Sequence, residues 1–152
     1  MTELRRPASS TDPAPGFFIT FEGIDGCGKT TQLELLGERL AASGREVVRT
    51  REPGGSGLGT AIRSWLLGTA FSPCSAAETL LFMADRSQHV HECIRPALAR
   101  GAVVLCDRYT DSTLAYQGDG RGQDSEPLRR LNEYATGGLV PHLTLILDLS
   151  PD

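Results

Sequence analysis

Residues 23–30 read Gly-Ile-Asp-Gly-Cys-Gly-Lys-Thr and follow directly on the apolar run Phe17-Phe-Ile-Thr-Phe21. This is the pattern G-x4-G-K-[ST], set between a strand-like run and the helical pattern Thr30-Thr-Gln-Leu-Glu-Leu-Leu-Gly-Glu-Arg-Leu40. Such a segment constrains the fold to a strand, a tight glycine loop and a helix in that order. The glycines let backbone N–H groups turn inward on phosphate oxygens, and the helix start adds the positive end of its dipole. The expected phosphate-binding set is Gly23, Ile24, Asp25, Gly26, Cys27, Gly28, Lys29, Thr30 and Thr31. Lys29 reaches the terminal phosphates of a nucleotide and the Thr30 hydroxyl reaches a magnesium ion. Lys29 is also the single lysine of a chain with 15 basic residues, the rest being arginine. The one compact ammonium stands where a phosphate needs a point charge.

A chain of 152 residues, 39% hydrophobic and 22% charged, is long enough for one soluble domain with a real core. With a net charge of -4, no basic field favours broad nucleic-acid binding, so the arginines must act locally. Cys27, Cys74, Cys93 and Cys106 include no C-x-x-C pair, which argues against zinc or redox motifs. Cys27 and Cys106 read as small fillers in a reducing cytoplasm, although a helix start also lowers a thiol's pKa and would activate Cys27. No apolar stretch approaches membrane-spanning length. Residues 1–16 are rich in Pro, Ser and Thr and are expected to form a disordered tail rather than a secretory or organelle signal. The expected location is cytoplasmic.

Strand and helix patterns alternate along the rest. Strands are predicted over 17–22, 46–50, 102–106 and 143–149, and helices over 29–43, 57–67, 111–117 and 126–136. Leu58, Ile62 and Leu66 form the apolar stripe of the 57–67 helix. Ser75 with Glu78 reads as a capping box opening a long helix, which Pro96 kinks or restarts before Gly101. Near-continuous apolar strands alternating with helices imply a parallel sheet covered on both faces, a three-layer α/β domain over 17–152. Ligands then sit at the carboxyl ends of the strands.

The residues at those ends suit phosphate. Arg51 follows the second strand, and Asp107 and Arg108 follow the third. An aspartate closing an apolar strand fits the magnesium-side carboxylate of phosphate-loop enzymes, and arginines clamp phosphoryl oxygens at two points. A guanine-reading N-K-x-D motif would need a lysine that is already committed, so a GTPase does not fit. A small kinase of nucleotides, nucleosides or metabolites remains.

Six segments together resemble the thymidylate kinase family: Phe21-Glu-Gly-Ile-Asp-Gly-Cys-Gly-Lys-Thr-Thr-Gln32, Arg51-Glu-Pro-Gly-Gly55, Leu81-Phe-Met-Ala-Asp-Arg86, Asp107-Arg-Tyr109, Ser112-Thr-Leu-Ala-Tyr-Gln-Gly118 and Pro141-His-Leu-Thr-Leu-Ile-Leu-Asp148. The resemblance spans 17–152. It implies a P-loop kinase fold and transfer of the γ-phosphate of ATP to dTMP, with Mg2+, giving dTDP and ADP. It implies a homodimer, and neither nucleic-acid nor membrane partners.

Residue by residue, the resemblance places Asp25 near the sugar 3′-hydroxyl of dTMP, stacks Phe82 on thymine and has Arg86 donate to a thymine carbonyl. Without it, Phe82 would read as core packing. Thr113 approaches the base edge, Tyr116 crowds the position of a ribose 2′-hydroxyl, and Gln117 lies close by. Arg51 and Arg108 hold the acceptor phosphate, which with Lys29 makes them the catalytic set, and Thr30 and Asp107 face the metal. Gly26 occupies the loop position where some members carry a clamp arginine, so the resemblance is to members with an arginine-bearing lid. Members continue past the fourth strand into that lid, a fifth strand and closing helices, so the chain is expected to be C-terminally incomplete. Two other classes stay open: a nucleotide-binding module without catalysis, and a kinase of deoxynucleosides.

Overall fold

The computed structural model describes residues 15–69 and 72–149. The expected tail falls outside them apart from residues 15 and 16. Four strands, β1 Phe17–Glu22, β2 Val47–Arg51, β3 Val103–Asp107 and β4 Leu143–Ile146, form one parallel sheet in the order β2-β3-β1-β4. Six α-helices connect them: α1 Lys29–Ala42, α2 Gly57–Leu67, α3 Ser75–His89, α4 Arg95–Ala99, α5 Thr110–Thr113 and α6 Ser125–Thr136.

The pleat explains why the strands are apolar on both sides. Phe18 of β1 and Val104 and Cys106 of β3 face Val90, Ile94 and Ala97 on the α3–α4 side. The alternate residues Ile19, Phe21, Val103 and Leu105 face Leu33 of α1, with Leu36 and Leu40 packed beside it. The sheet is therefore the middle of three layers, as the sequence predicts. Helices α2 and α6 pack on α3 and build up the wall beyond it.

Several local expectations change. Ser75 is the first residue of α3 rather than its cap; Cys74 holds the cap position with no side-chain bond. Glu78 is turned instead toward Gln117 and Arg121. In α2 the buried positions are Gly59 and Ile62, and Leu58 stands 46% exposed, because Gly59 lets the helix lie directly against Asp85 of α3. The long helix is interrupted by a π-helical turn over Val90–Ile94, just before Pro96 restarts it as α4. A second π-helical turn, Leu114–Asp119, carries the helix predicted over 111–117 two residues further. β4 ends at Ile146, earlier than predicted, because β1, its partner strand among the described residues, ends at Glu22.

Candidate active site

The register sets the site. Asp107 of β3 lies opposite Phe21 of β1 and opposite Arg51 of β2. The three neighbouring strands thus end level, and the loop after β1 and the α5 segment after β3 open at the same edge. Two clefts lie there. One, of about 440 Å³, is lined by Asp25, Gly26, Gly28, Lys29, Thr30 and Thr31 with Arg51, Arg63 and Asp107. The other, of about 560 Å³, holds Phe82, Arg86, Thr113, Tyr116 and Gln117. Asp25, Glu52, Arg63 and Arg108 belong to both, so the clefts meet at these residues.

In the first cleft the loop runs from Gly23 into α1, whose first turn is Lys29, Thr30 and Thr31. Amides of a first helical turn have no intrahelical acceptor and are available to an anion. Gly23 adopts φ 140, and a side chain there would come within 2.8 Å of Cys27 Sγ. Only glycine combines that backbone with that closeness. The Lys29 ammonium is buried and donates to the carbonyls of Gly23 at 3.1 Å and Ile24 at 2.7 Å. These are the contacts a phosphate oxygen would replace. Beside it, the Thr30 hydroxyl donates to Asp107 Oδ2 at 2.9 Å. Asp107 Oδ1 is buried with no partner among the described residues. An unpartnered carboxylate oxygen next to a hydroxyl is a hard-oxygen donor set, and it fits a magnesium ion.

In the second cleft Phe82 and Arg86 lie one helical turn apart on α3, and both face the opening. Phe82 is half-buried on the cleft wall rather than sealed in the core. Arg86 is 2% exposed, and its N–H groups are engaged throughout. Nε and Nη2 meet Glu52 Oε2 at 2.8 and 2.7 Å, Nη1 donates to Thr113 Oγ1 at 2.8 Å and to Asn132 Oδ1, and Nη2 donates to the Tyr109 carbonyl at 2.9 Å. Thr113 is thereby fixed on the wall. Gln117 is buried and donates to Glu78 Oε1 at 2.9 Å.

Arg108 joins the two clefts. It is the one non-glycine residue with positive φ among those described, at 73. A non-glycine side chain pays for that conformation in strain and needs support. The support is on every side. Its N–H donates to Phe21 O at 2.9 Å, and its carbonyl accepts from the Cys106 thiol at 3.1 Å. The next residue, Tyr109, donates its N–H to Glu22 Oε1 at 2.8 Å. The Ser112 hydroxyl donates to Glu22 Oε2 at 2.6 Å. Burial raises the Glu22 pKa despite these bonds. The result aims the Arg108 guanidinium at Asp25 Oδ1, 2.6 Å away, over the Tyr116 ring. Arg51 forms no ion pair among the described residues, although it borders the first cleft beside Lys29.

Sequence reasoning missed several residues here. Arg63 donates to the Pro53 carbonyl at 2.8 Å and borders both clefts. Its signal was available: it is the sole charged residue of α2. Glu22, Glu52 and Glu78 gave no such signal, since each is fixed by partners at least 34 positions away.

A parallel sheet with a glycine phosphate loop after its β1 strand, and two clefts meeting over that loop, define the P-loop α/β fold of small nucleotide kinases. The family model for thymidylate kinase matches residues 21–152. The thymidylate kinase of Desulfovibrio desulfuricans is 61% identical over 133 residues, which cover 87% of this chain and 61% of that one. A Synechococcus thymidylate kinase is 61% identical over 136 residues, 89% of this chain and 65% of the relative. The crystal structure of thymidylate kinase from Ehrlichia chaffeensis superposes with a TM-score of 0.84 at 44% identity, covering 90% of this chain and 78% of that one. The chain belongs to the thymidylate kinase family. It spans somewhat under two thirds of the length of these curated relatives.

Proposed function

We propose that this chain carries the phosphate loop and acceptor site of a dTMP kinase, which transfers the γ-phosphate of ATP to dTMP to give dTDP and ADP. The observation that carries the reading is the meeting of the two clefts at Asp25, Arg63 and Arg108. A donor phosphate on the loop and an acceptor phosphate in the second cleft face each other across these side chains. Lys29 leaves the Gly23 and Ile24 carbonyls for the terminal phosphates of ATP. Arg51, Arg63 and Arg108 hold the acceptor phosphate and neutralise charge as the phosphoryl group moves. Thr30 and Asp107 hold Mg2+, which when bound offsets negative charge on the donor phosphates.

At the far end Phe82 stacks on thymine and Thr113 meets the base edge. Arg86 holds Thr113 in place, and a base carbonyl shares its Nη1 donors. Gln117 borders the same end. Tyr116 fills the space of a ribose 2′-hydroxyl, and Asp25 accepts from the 3′-hydroxyl. The reading places the protein in the cytoplasm, as a homodimer by its family resemblance, with no nucleic-acid or membrane partner. No helix of the described residues is long and apolar enough to cross a membrane.

The test is ADP release from Mg-ATP by this chain, with dTMP, with thymidine and with neither. Release that requires dTMP supports the reading. Release with thymidine favours a deoxynucleoside kinase, and binding of both nucleotides without release marks a binding module.

A further inference from the structure

Behind the two clefts lies a buried polar cluster that the proposed chemistry does not use. His89, at the last turn of α3, is fully buried. Its Nδ1 meets Glu52 Oε1 at 2.9 Å and its Nε2 meets Thr50 Oγ1 at 2.7 Å. These partners flank Arg51. Neighbouring residues of an extended segment point to opposite sides, so fixing 50 and 52 on the α3 side directs residue 51 away from it. The rest of the loop is fastened to the same helix. Gly54 donates its N–H to Asp85 Oδ1 at 3.0 Å, and a side chain at Gly55 would overlap the His89 ring. The other carboxylate oxygen of Glu52 is taken by Arg86. One helix therefore carries Phe82 at the base end and the residues that seat the arginine at the phosphate end.

We infer that His89 is a positioning residue for the phosphate clamp, setting through Glu52 and Thr50 where Arg51 stands against the phosphate of a nucleoside monophosphate. This rests on the acceptor-site reading above. An imidazolium is the form that donates from both nitrogens. Contacts with Cys93 and Glu52 favour it over the opposing effect of burial. A positioning role differs from a packing role in its ligand dependence. Loss of the Glu52 contact weakens binding of a phosphorylated acceptor and leaves the unphosphorylated one alone.

The experiment compares dissociation constants for dTMP and thymidine in the parent chain, in His89→Gln and in His89→Asn. The asparagine amide retains an N–H where Nδ1 was, facing Glu52; the glutamine amide does not. His89→Gln is expected to weaken dTMP about tenfold, within the range of one charge-assisted contact, and to leave thymidine unchanged. His89→Asn is expected to bind dTMP like the parent. Equal weakening of both ligands, an unchanged dTMP constant in His89→Gln, or an asparagine variant no better than glutamine overturns the inference. A parent with no preference for dTMP over thymidine overturns the acceptor-site reading and this inference with it. A preference kept by all variants overturns this inference alone. If His89→Gln does not fold, Thr50→Val removes the second contact with little change of shape, and an unchanged dTMP constant there overturns the inference as well.

Discussion

Raising the pH should destabilise this protein by discharging His89. Burial alone disfavours its charge, yet the contact with Cys93 and the bond and charge of Glu52 win and lift its pKa from 6.5 to about 9. A proton held that much more tightly in the folded chain corresponds to about 3 kcal/mol of stability. Because the folded value exceeds the unfolded one, the contribution is fully present below pH 6.5 and is lost as pH rises through about 9. Asp85, raised by burial and by Glu52 to about 6, titrates below that window. The Cys93 thiol, lowered chiefly by its contact with His89, titrates together with it and is kept, because it contributes the largest of the effects that raise the His89 value. The assay is urea denaturation of the parent chain and of His89→Gln, from about pH 6 to about pH 10. The histidine chain should hold its greatest advantage at the acid end and lose it toward the alkaline end, by up to about 3 kcal/mol. A difference between the two chains that is flat with pH, or that grows as pH rises, refutes the assignment of a buried imidazolium.

Three other outcomes test the site and its packing. Arg108→Ala should lower dTMP-dependent ADP release by about a hundredfold or more, as expected for loss of a charge partner to the moving phosphoryl group; unchanged turnover removes Arg108 from the chemistry. Tyr116→Ala should relax discrimination between dTMP and its ribose counterpart about tenfold, read as a ratio of kcat/KM values, and an unchanged ratio refutes the role of the ring. Gly59→Ala, normally a gain of about 1 kcal/mol inside a helix, should instead lower Tm. The added methyl overlaps Asp85 Oδ1, the acceptor that holds Gly54, and a raised Tm would show that α2 can move off α3.

The frame of this molecule was legible because each part of it is local. Alternating apolar strands and helices, and a glycine loop of fixed spacing, announce themselves within about a dozen residues. The expected residues at the strand ends, Arg51, Asp107 and Arg108, do converge, because parallel strands in register end at one level. What stayed hidden depends on distant partners. Nothing near Arg108 reveals its positive φ, which is held by Phe21, Cys106 and, through Tyr109, Glu22. The Arg86 guanidinium is held by partners at 52, 109, 113 and 132, and no spacing rule connects them. Leu58 looked like core by its spacing, but the glycine one place on, not the leucine, meets α3.

Two arginine–carboxylate pairs of nearly equal length show how burial divides framework from working parts. Arg86 and Glu52 meet at 2.7 Å with each side chain 2% exposed. Removing one partner of such a pair strands a charge without water and costs about 3–5 kcal/mol. Arg108 and Asp25 meet at 2.6 Å, but the Asp25 side chain is 92% exposed. Water already solvates that carboxylate, so the pair contributes little and separates easily. A doubly charged phosphate competes for the Arg108 guanidinium with more charge and more oxygens than Asp25 offers. On the proposed function, the arginine that exchanges Asp25 for a phosphate is thus held by a weak, wet contact, on a backbone fixed by Glu22 and Phe21. The arginine that must not move is held by a strong, dry one. Exchanging those environments, with Asp25 buried or Glu52 exposed, would leave both distances intact and remove both properties.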